Sequence, residues 1–294
     1  MNEIQVDCIV RFHDAKRLYE LNRCVFSLVG QTYRPLNIIL AVQRFSAAEL
    51  AATHAALDPM LSLSNAPTLT IENWESSTPS DARTELLNLG LARATGRYVA
   101  FLDYDDVLYP EAYATLVERI SLTGAAIAFA SVRIVNADVF PQFIQITRQV
   151  EATFQGENLH DLFKSNFCPI HSYLIDRVHV SKDILFFDTR LTWEEDYDSL
   201  LRICAAYPSD FKAKKKLLGD YYYKSDGSNT VPTSGILSAF RLAEYDRVTA
   251  LIEVRRRTTL VAPAVQIALG FAEPHPGMTI RGALNVLNRG FRST

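Results

Sequence analysis

Apolar residues Ile4, Val6, Cys8, Val10 and Phe12 alternate with Gln5, Asp7 and Arg11, the period of a half-buried β-strand. Leu18, Leu21, Val25, Leu28 and Val29 then recur at helical spacing up to a break at Gly30, and 38–42 is an unbroken apolar run suited to a buried strand. A polar, Ala-rich stretch follows, then a strand at 68–71, a helix over 81–95 closed by Gly96, and a buried strand at 98–102. Pro110 suits a first helical position, with Ala112, Tyr113, Leu116, Val117 and Ile120 on one face behind it. Residues 126–132 are apolar enough for another strand. This alternation predicts an α/β fold in which a mainly parallel sheet is covered by helices on both faces. Beyond about residue 235 helical stripes replace the strands, which divides the chain into a main unit, 1–234, and a helical C-terminal extension, 235–294.

Composition narrows the classes. With 294 residues, 48% of them hydrophobic, the chain can bury a full core. A formal net charge of −3 offers no general attraction to a polyanion, so nucleic acid is not an expected partner. No apolar run approaches the roughly 20 residues of a membrane span, and the opening residues lack the basic and apolar regions of a signal peptide; the expected location is cytoplasmic. Cys8, Cys24, Cys168 and Cys204 lie far apart among apolar neighbours and read as reduced core residues. Lys212, Lys214, Lys215 and Lys216 form a dense basic patch that reads as a solvated face.

Two acidic segments carry the candidate chemistry. Residues 98–102 run straight into Asp103, Asp105 and Asp106, and in open α/β sheets ligands bind beyond the carboxyl ends of the strands. Clustered carboxylates repel unless a cation lies among them, and Mg²⁺ or Mn²⁺ prefers such oxygen ligands and bridges to phosphates. The alternative is that one carboxylate caps the next helix and the others face water. The second segment, Glu194, Glu195 and Asp196, opens a helix whose buried side is marked by Trp193, Tyr197, Leu200, Leu201 and Cys204. Thr192 and Glu195 have capping-box spacing. Asp196 shares a side with Leu200 and Ile203, so its carboxylate serves either the helix N-terminus, an ion pair, or general-base chemistry.

In order over roughly residues 4–229, these segments resemble the family 2 glycosyltransferases, which have the GT-A (Rossmann-like) fold. The first strand followed by Ser27, Gln31 and Tyr33 is similar to that family's strand and its helix ending in S-x-x-x-Q-x-Y. Asn88, Gly90, Ala94, Gly96 and Tyr98 resemble its N-x-G-x-x-x-A-x-G-x-Y segment, and Leu102 with Asp103, Asp105, Asp106 and Pro110 resembles its D-x-D metal motif. Phe187, Asp188, Leu191, Glu195, Asp196 and Arg202 are similar to the late F-D-x-x-L and E-D-x-x-x-x-x-R block. The resemblance implies a metal-dependent, inverting transfer of a sugar from a nucleoside-diphosphate donor to a hydroxyl of a glycan or lipid-linked acceptor, in surface glycan or glycolipid synthesis. It makes 1–234 the nucleotide-sugar-binding and catalytic domain and Mn²⁺ or Mg²⁺ the cofactor. By resemblance Asp103 and Asp105 hold ribose and metal, Asp106 supports them, Asp196 is the base, and Glu195 and Arg202 position Asp196 or the acceptor.

The departures also matter. Where the family has an Asp-Asp-Gly-Ser turn to read the nucleotide base, this chain has Gln43, Arg44, Phe45 and Ser46; Gln43 is then the group for a base edge and Arg44 for a phosphate. Arg11 and His13 stand in the family's P-T-Y-N start and are candidates to line the nucleotide pocket, with a surface or packing histidine the equal alternative for His13. Arg83 is placed either to meet a diphosphate or to form an ordinary surface pair. Ser225 takes the place of a late histidine, so either the metal lacks a protein ligand there or Lys224 supplies positive charge instead. Ile280, Leu284, Leu287 and Phe291 among arginines give 278–292 an amphipathic pattern. That pattern suits packing on the domain or a second subunit, the preferred reading, or peripheral contact with an anionic membrane at its inner face. Two other functions are weighed against the transferase: a non-catalytic sugar-nucleotide-binding scaffold, which has no need of Asp196, and a nucleotidyltransferase, whose Gly-rich basic N-terminal loop this chain lacks.

Overall fold

The computed structural model describes residues 4–140, 142–150, 154–226 and 239–290. Its elements are β1 (Val6–Phe12), α1 (Leu18–Val29), β2 (Leu36–Gln43), α2 (Ala47–Leu61), β3 (Thr68–Trp74), α3 (Arg83–Arg93), β4 (Tyr98–Asp103), β5 (Val107–Leu108) and α4 (Ala112–Thr123). There follow β6 (Ile127–Val139), β7 (Ile144–Val150), α5 (Leu159–Lys164), β8 (Tyr173–Asp176), α6 (Glu195–Ala206), β9 (Ser209–Lys224), α7 (Ala239–Thr258), α8 (Pro263–Ala268) and α9 (Ile280–Gly290). The strands form one sheet in the order β3-β2-β1-β4-β8-β6-β9-β5, with β7 paired to β6. Strands β3, β2, β1 and β4 run parallel; β8 joins β4 and β6 antiparallel, and β9 is parallel to β6.

Helices cover both faces, as the alternation predicts. On one side Cys8, Val10, Leu40 and Leu102 pack with Leu21, Val25 and Leu28 of α1 and Leu116 and Ile120 of α4. On the other, Ile9, Ile39 and Phe101 pack with Leu87 of α3 and Leu200, Leu201 and Cys204 of α6. The same apolar body takes in Val248 and Ile252 of α7, Val265 of α8, and Ile280, Ala283 and Leu284 of α9. The C-terminal helices therefore share a core with the sheet. The apolar face of α9 is packed on the protein, which is the preferred reading of that amphipathic pattern. The boundary at 234/235, Gly227, Ser228, Phe291 and Arg292 lie outside the described residues. No helix among the described residues is long and apolar enough to cross a membrane. All four cysteines are free and buried.

Several expectations are corrected. The first strand is central rather than half-buried, because β2 and β4 flank it and both faces are covered. Its polar positions are inside because each has partners: Asp7 is fully buried and accepts from the backbone N–H groups of Thr95 (2.6 Å) and Gly96 (2.7 Å). Gly96 does not close a helix in the left-handed region. Helix α3 ends at Arg93 with Ala94 extended, and Gly96 is needed because a Cβ there would stand 2.7 Å from the Gln5 carbonyl oxygen. Since that neighbour is backbone, Gly96→Ala is expected to cost about 1–3 kcal/mol, read as a lowered midpoint in urea unfolding. The Ala-rich stretch is helix α2, opened by a capping box in which Ser46 and Glu49 bond reciprocally (2.8 and 3.3 Å). Helix α4 starts at Ala112, after Pro110, whose carbonyl instead accepts from Thr32 N–H at 2.8 Å.

Candidate active site

From β1 the chain winds outward through β2 and β3, then returns to β4 on the other side of β1. This reversal opens a crevice at the carboxyl ends of β1 and β4, the position at which doubly wound sheets bind ligands. Arg11 and Asp103 face each other there in strand register. The Arg11 guanidinium bonds both oxygens of Asp103, through Nε and, at 3.0 Å, through Nη2. Its Nη1 donates to Glu195 Oε1 at 2.5 Å. One cation thus joins the acidic turn after β4 to the acidic start of α6, two segments 92 residues apart. Burial disfavours the Arg11 charge, yet Asp103 and Glu195 outweigh it and hold its pKa well above the ordinary value.

The turn itself is ordered. Asp106 N–H donates to Asp103 O at 3.0 Å, and the buried Asp106 carboxylate accepts from Tyr222 N–H at 2.7 Å. Carboxylate oxygens of Asp103, Asp105 and Asp106 all lie within 4.8 Å of one another. Asp105 is bonded by the buried ammonium of Lys224, which also stands 3.5 Å from Glu20. Burial and the neighbouring Asp105 and Asp103 charges push the Asp106 pKa well up, the repulsion expected of clustered acids. His171, which sequence reasoning missed, is buried with Nδ1 3.3 Å from Asp106, and burial lowers its pKa to about 4, keeping it neutral. It sits in an apolar loop with no motif, so no local signal marks it.

A cavity of about 300 Å³ lies between these groups and the start of α6, with Arg11, Asp103, Arg83, Glu195 and Asp196 in its wall. Asp196 Oδ1 accepts from Tyr197 N–H at 2.7 Å and from Asn166 Nδ2 at 3.4 Å. Burial, then Glu195 and Glu194, raise its pKa well above the carboxylate norm. Glu194 was also missed as a site residue. It is a non-glycine residue in the left-handed region, φ 59°, and its carboxyl is pushed up to about 7 by burial and by Glu195. Its strained position just before α6 was not visible in the sequence.

The anticipated capping box of Thr192 and Glu195 does not form. Glu195 is drawn to Arg11, Thr192 Oγ1 bonds Glu244 on α7, and Glu194 takes the cap position without a side-chain bond. Arg202 does not position Asp196. Its Nε donates to Asp198 at 2.9 Å, its other nitrogens bond the Ile184 and Phe186 carbonyls, and Arg255 of α7 holds the other Asp198 oxygen at 2.6 Å. This network ties α6 to α7, while Trp193 packs edge-on against Tyr245 of α7 (4.7 Å between ring centroids). The C-terminal helices thereby brace the segment that presents the three acids.

The remaining candidates divide. Gln43 uses both ends of its amide on the next loop, donating to Ser80 O (2.8 Å) and accepting from Ala82 N–H (3.0 Å). Arg44, itself at φ 55°, donates to the carbonyls of Ser76 (2.5 Å), Pro79 and Ser80 (3.1 Å). Both therefore fasten the loop leading to Arg83 rather than present free groups. Arg83 pairs with Asp81 at 2.8 Å at the cavity's edge. His13 is exposed and packs against Tyr104 at 5.5 Å between centroids. Ser225 donates its hydroxyl to Asp138.

With this geometry in view, residues 82–185 match the model described as Glycosyl transferase family 2. The matched segment contains the Asp103–Asp106 turn and stops short of α6. No curated protein matches the sequence significantly. Among solved structures, S. aureus TarS 1-349 in complex with UDP aligns at TM-score 0.62 and 14% identity, covering 98% of this chain and 72% of that one. The same protein in complex with UDP-GlcNAc aligns at TM-score 0.62 and 15% identity, over 91% and 71% of the two chains. The mannosyltransferase PcManGT from Pyrobaculum calidifontis, in complex with GDP-Man and Mn²⁺, aligns at TM-score 0.52 and 13% identity, over 100% and 81%. At these identities the likeness is one of fold, and it bears out the GT-A architecture.

Proposed function

We propose that the chain is an inverting glycosyltransferase that moves a sugar from a nucleoside-diphosphate donor to an acceptor hydroxyl. The observation that carries the reading is the Arg11 bridge, which brings Asp103, the first acid of the 103–106 turn, and the Glu195–Asp196 pair to the wall of one cavity at the sheet's switch point. The family match over 82–185 and the fold shared with proteins complexed to UDP, UDP-GlcNAc and GDP-Man support it.

Three converging carboxylates are the hard oxygen donors that a divalent cation takes, so Asp103 and Asp105, with Asp106 behind them, fit Mn²⁺ or Mg²⁺. Bound there, the ion supplies Lewis-acid stabilisation of the charge on the departing diphosphate. Asp103, oriented by Arg11, holds the donor ribose; Lys224 and Arg83 add positive charge beside the phosphates, and His13 lines the nucleotide end. Gln43 and Arg44 act indirectly, by fixing the loop that carries Arg83. Across the cavity Asp196 accepts the acceptor's hydroxyl proton as that oxygen attacks the anomeric carbon from the face opposite the diphosphate. Its raised pKa makes it a stronger base than an exposed aspartate, while Glu195, bonded by Arg11, keeps its place beside it.

Calorimetric titration of UDP, GDP, CDP and dTDP with and without Mn²⁺ tests the donor half. One nucleotide is expected to bind in a metal-dependent way, with binding lost in Asp105→Ala. If no nucleotide binds with metal present, the transferase reading fails at its first step.

A further inference from the structure

A second depression, of about 1240 Å³, lies beside the acidic cavity. Phe154 stands in the wall of both. The segment 165–168 forms a thin partition between them: Ser165 faces the larger space, while Asn166 and Cys168 face the smaller, and Asn166 donates to Asp196. The Lys214 ammonium lies 4.8 Å from the ring centre of Phe167, in the same partition.

Lys164, Lys212, Lys214 and Lys215 line this groove against the acids Glu157 and Asp161. Asp161 is already engaged, by Lys164 at 3.7 Å and by the Glu157 N–H at 3.2 Å. Among the described residues Lys212, Lys214 and Lys215 have no ion-pair partner. Lys214 is half-buried, and burial lowers its pKa, so an anion placed beside it relieves that cost. Lys212, Lys215 and Lys216 are exposed, as a solvated face requires, and Lys212 and Lys215 together with the half-buried Lys214 also line this concave surface.

We propose that this groove binds the body of a polyanionic acceptor, a chain bearing phosphate or carboxylate groups, and so delivers one of its hydroxyls over the partition to Asp196. Lysine is a point charge that suits such groups without demanding one geometry, as a repeating chain sliding through a groove requires. The acceptor assignment rests on the transferase reading of the neighbouring cavity.

The test uses the full chain, with fluorescent short-chain inorganic polyphosphate and oligogalacturonate as probes and Lys212→Gln/Lys214→Gln/Lys215→Gln as the variant. A Lys212→Gln/Lys215→Gln pair, both exposed, serves if the triple variant unfolds. The wild type is expected to bind at least one probe with an affinity that falls steeply with salt, and the variant to bind about tenfold or more weakly with a shallower salt dependence. The probe that binds distinguishes phosphate from carboxylate. Wild-type protein that binds neither probe, or variants that bind as well as wild type, would overturn the proposal. So would lysine-dependent binding to phosphatidylglycerol–phosphatidylcholine vesicles in the absence of binding to either probe, which would assign the patch to a membrane surface. Nucleotide binding with Mn²⁺ is measured in parallel. Its absence beside intact polyanion binding would sink the transferase reading while leaving the groove a polyanion site.

Discussion

Asp196→Asn is expected to lower the rate of sugar transfer by about 10²–10⁴-fold while leaving donor affinity within a fewfold of wild type. The amide keeps the size and the hydrogen bond from Tyr197 N–H but cannot take a proton. A base must be ionised to take a proton, and burial with Glu195 and Glu194 nearby resists ionisation of Asp196. Activity should therefore rise with pH through an apparent pKa above the ordinary carboxylate value of about 3.9, with that limb missing from the residual activity of the variant. Glu194→Gln is the necessary companion, because that carboxyl, at about 7, lines the same cavity. If Glu194→Gln abolishes the limb and Asp196→Asn does not, the base has been misassigned. Full activity in both variants would leave neither acid a chemical role, and the base would have to lie elsewhere in the cavity wall.

Lys224→Met should have the largest effect on stability, a loss of about 3–5 kcal/mol in urea unfolding with chelator present. The ammonium is 2% exposed and lies between Asp105 and Glu20, the latter 3% exposed. Burial opposes its charge, but Asp105 and Glu20 more than compensate and raise its pKa. Removing it leaves Glu20 paired with Arg17, at 3.0 Å, and takes from Asp105 the ammonium that the fold brings to it. Mn²⁺ is expected to restore part of the loss, and to raise the variant's midpoint more than the wild type's, because a cation held by Asp103 and Asp105 replaces the missing charge. A variant as stable as wild type in chelator would show that Lys224 does not balance the acidic turn. A variant destabilised but indifferent to Mn²⁺ would count against the metal.

Local pattern made much of the scaffold legible. The parallel strands at 38–42, 68–71 and 98–102 and the helix ending at Gly30 follow from periodicity, because a buried strand and an amphipathic helix each leave a repeating signature within a few residues. The two acidic segments were likewise visible, since carboxylates at the end of an apolar strand or the start of a helix stand out against their neighbours. Even the unassigned helix α2 had its signal in Ser46 and Glu49. Where reading along the chain failed, the deciding partner was remote. Asp7 and Arg11 look like the wet side of a half-buried strand, and only the backbone of Thr95 and Gly96 and the carboxylates of Asp103 and Glu195 make their burial possible.

By itself, then, the sequence determined the order of elements, the two faces of the sheet, and which carboxylates were available, all of which depend on residues within one or two turns of each other. Tertiary structure alone decided which carboxylate meets which cation. Arg11 unites Asp103 with Glu195, Lys224 settles on Asp105, Arg202 goes to Asp198, and the lysines Lys212, Lys214 and Lys215 of β9 come to rest in a groove parted by 165–168 from the cavity that holds Asp196. The physical reason is that a charge is indifferent to distance along the chain. Its energy depends on separation in space and on how much water is excluded, and both are set only when the sheet has closed and its helices have packed.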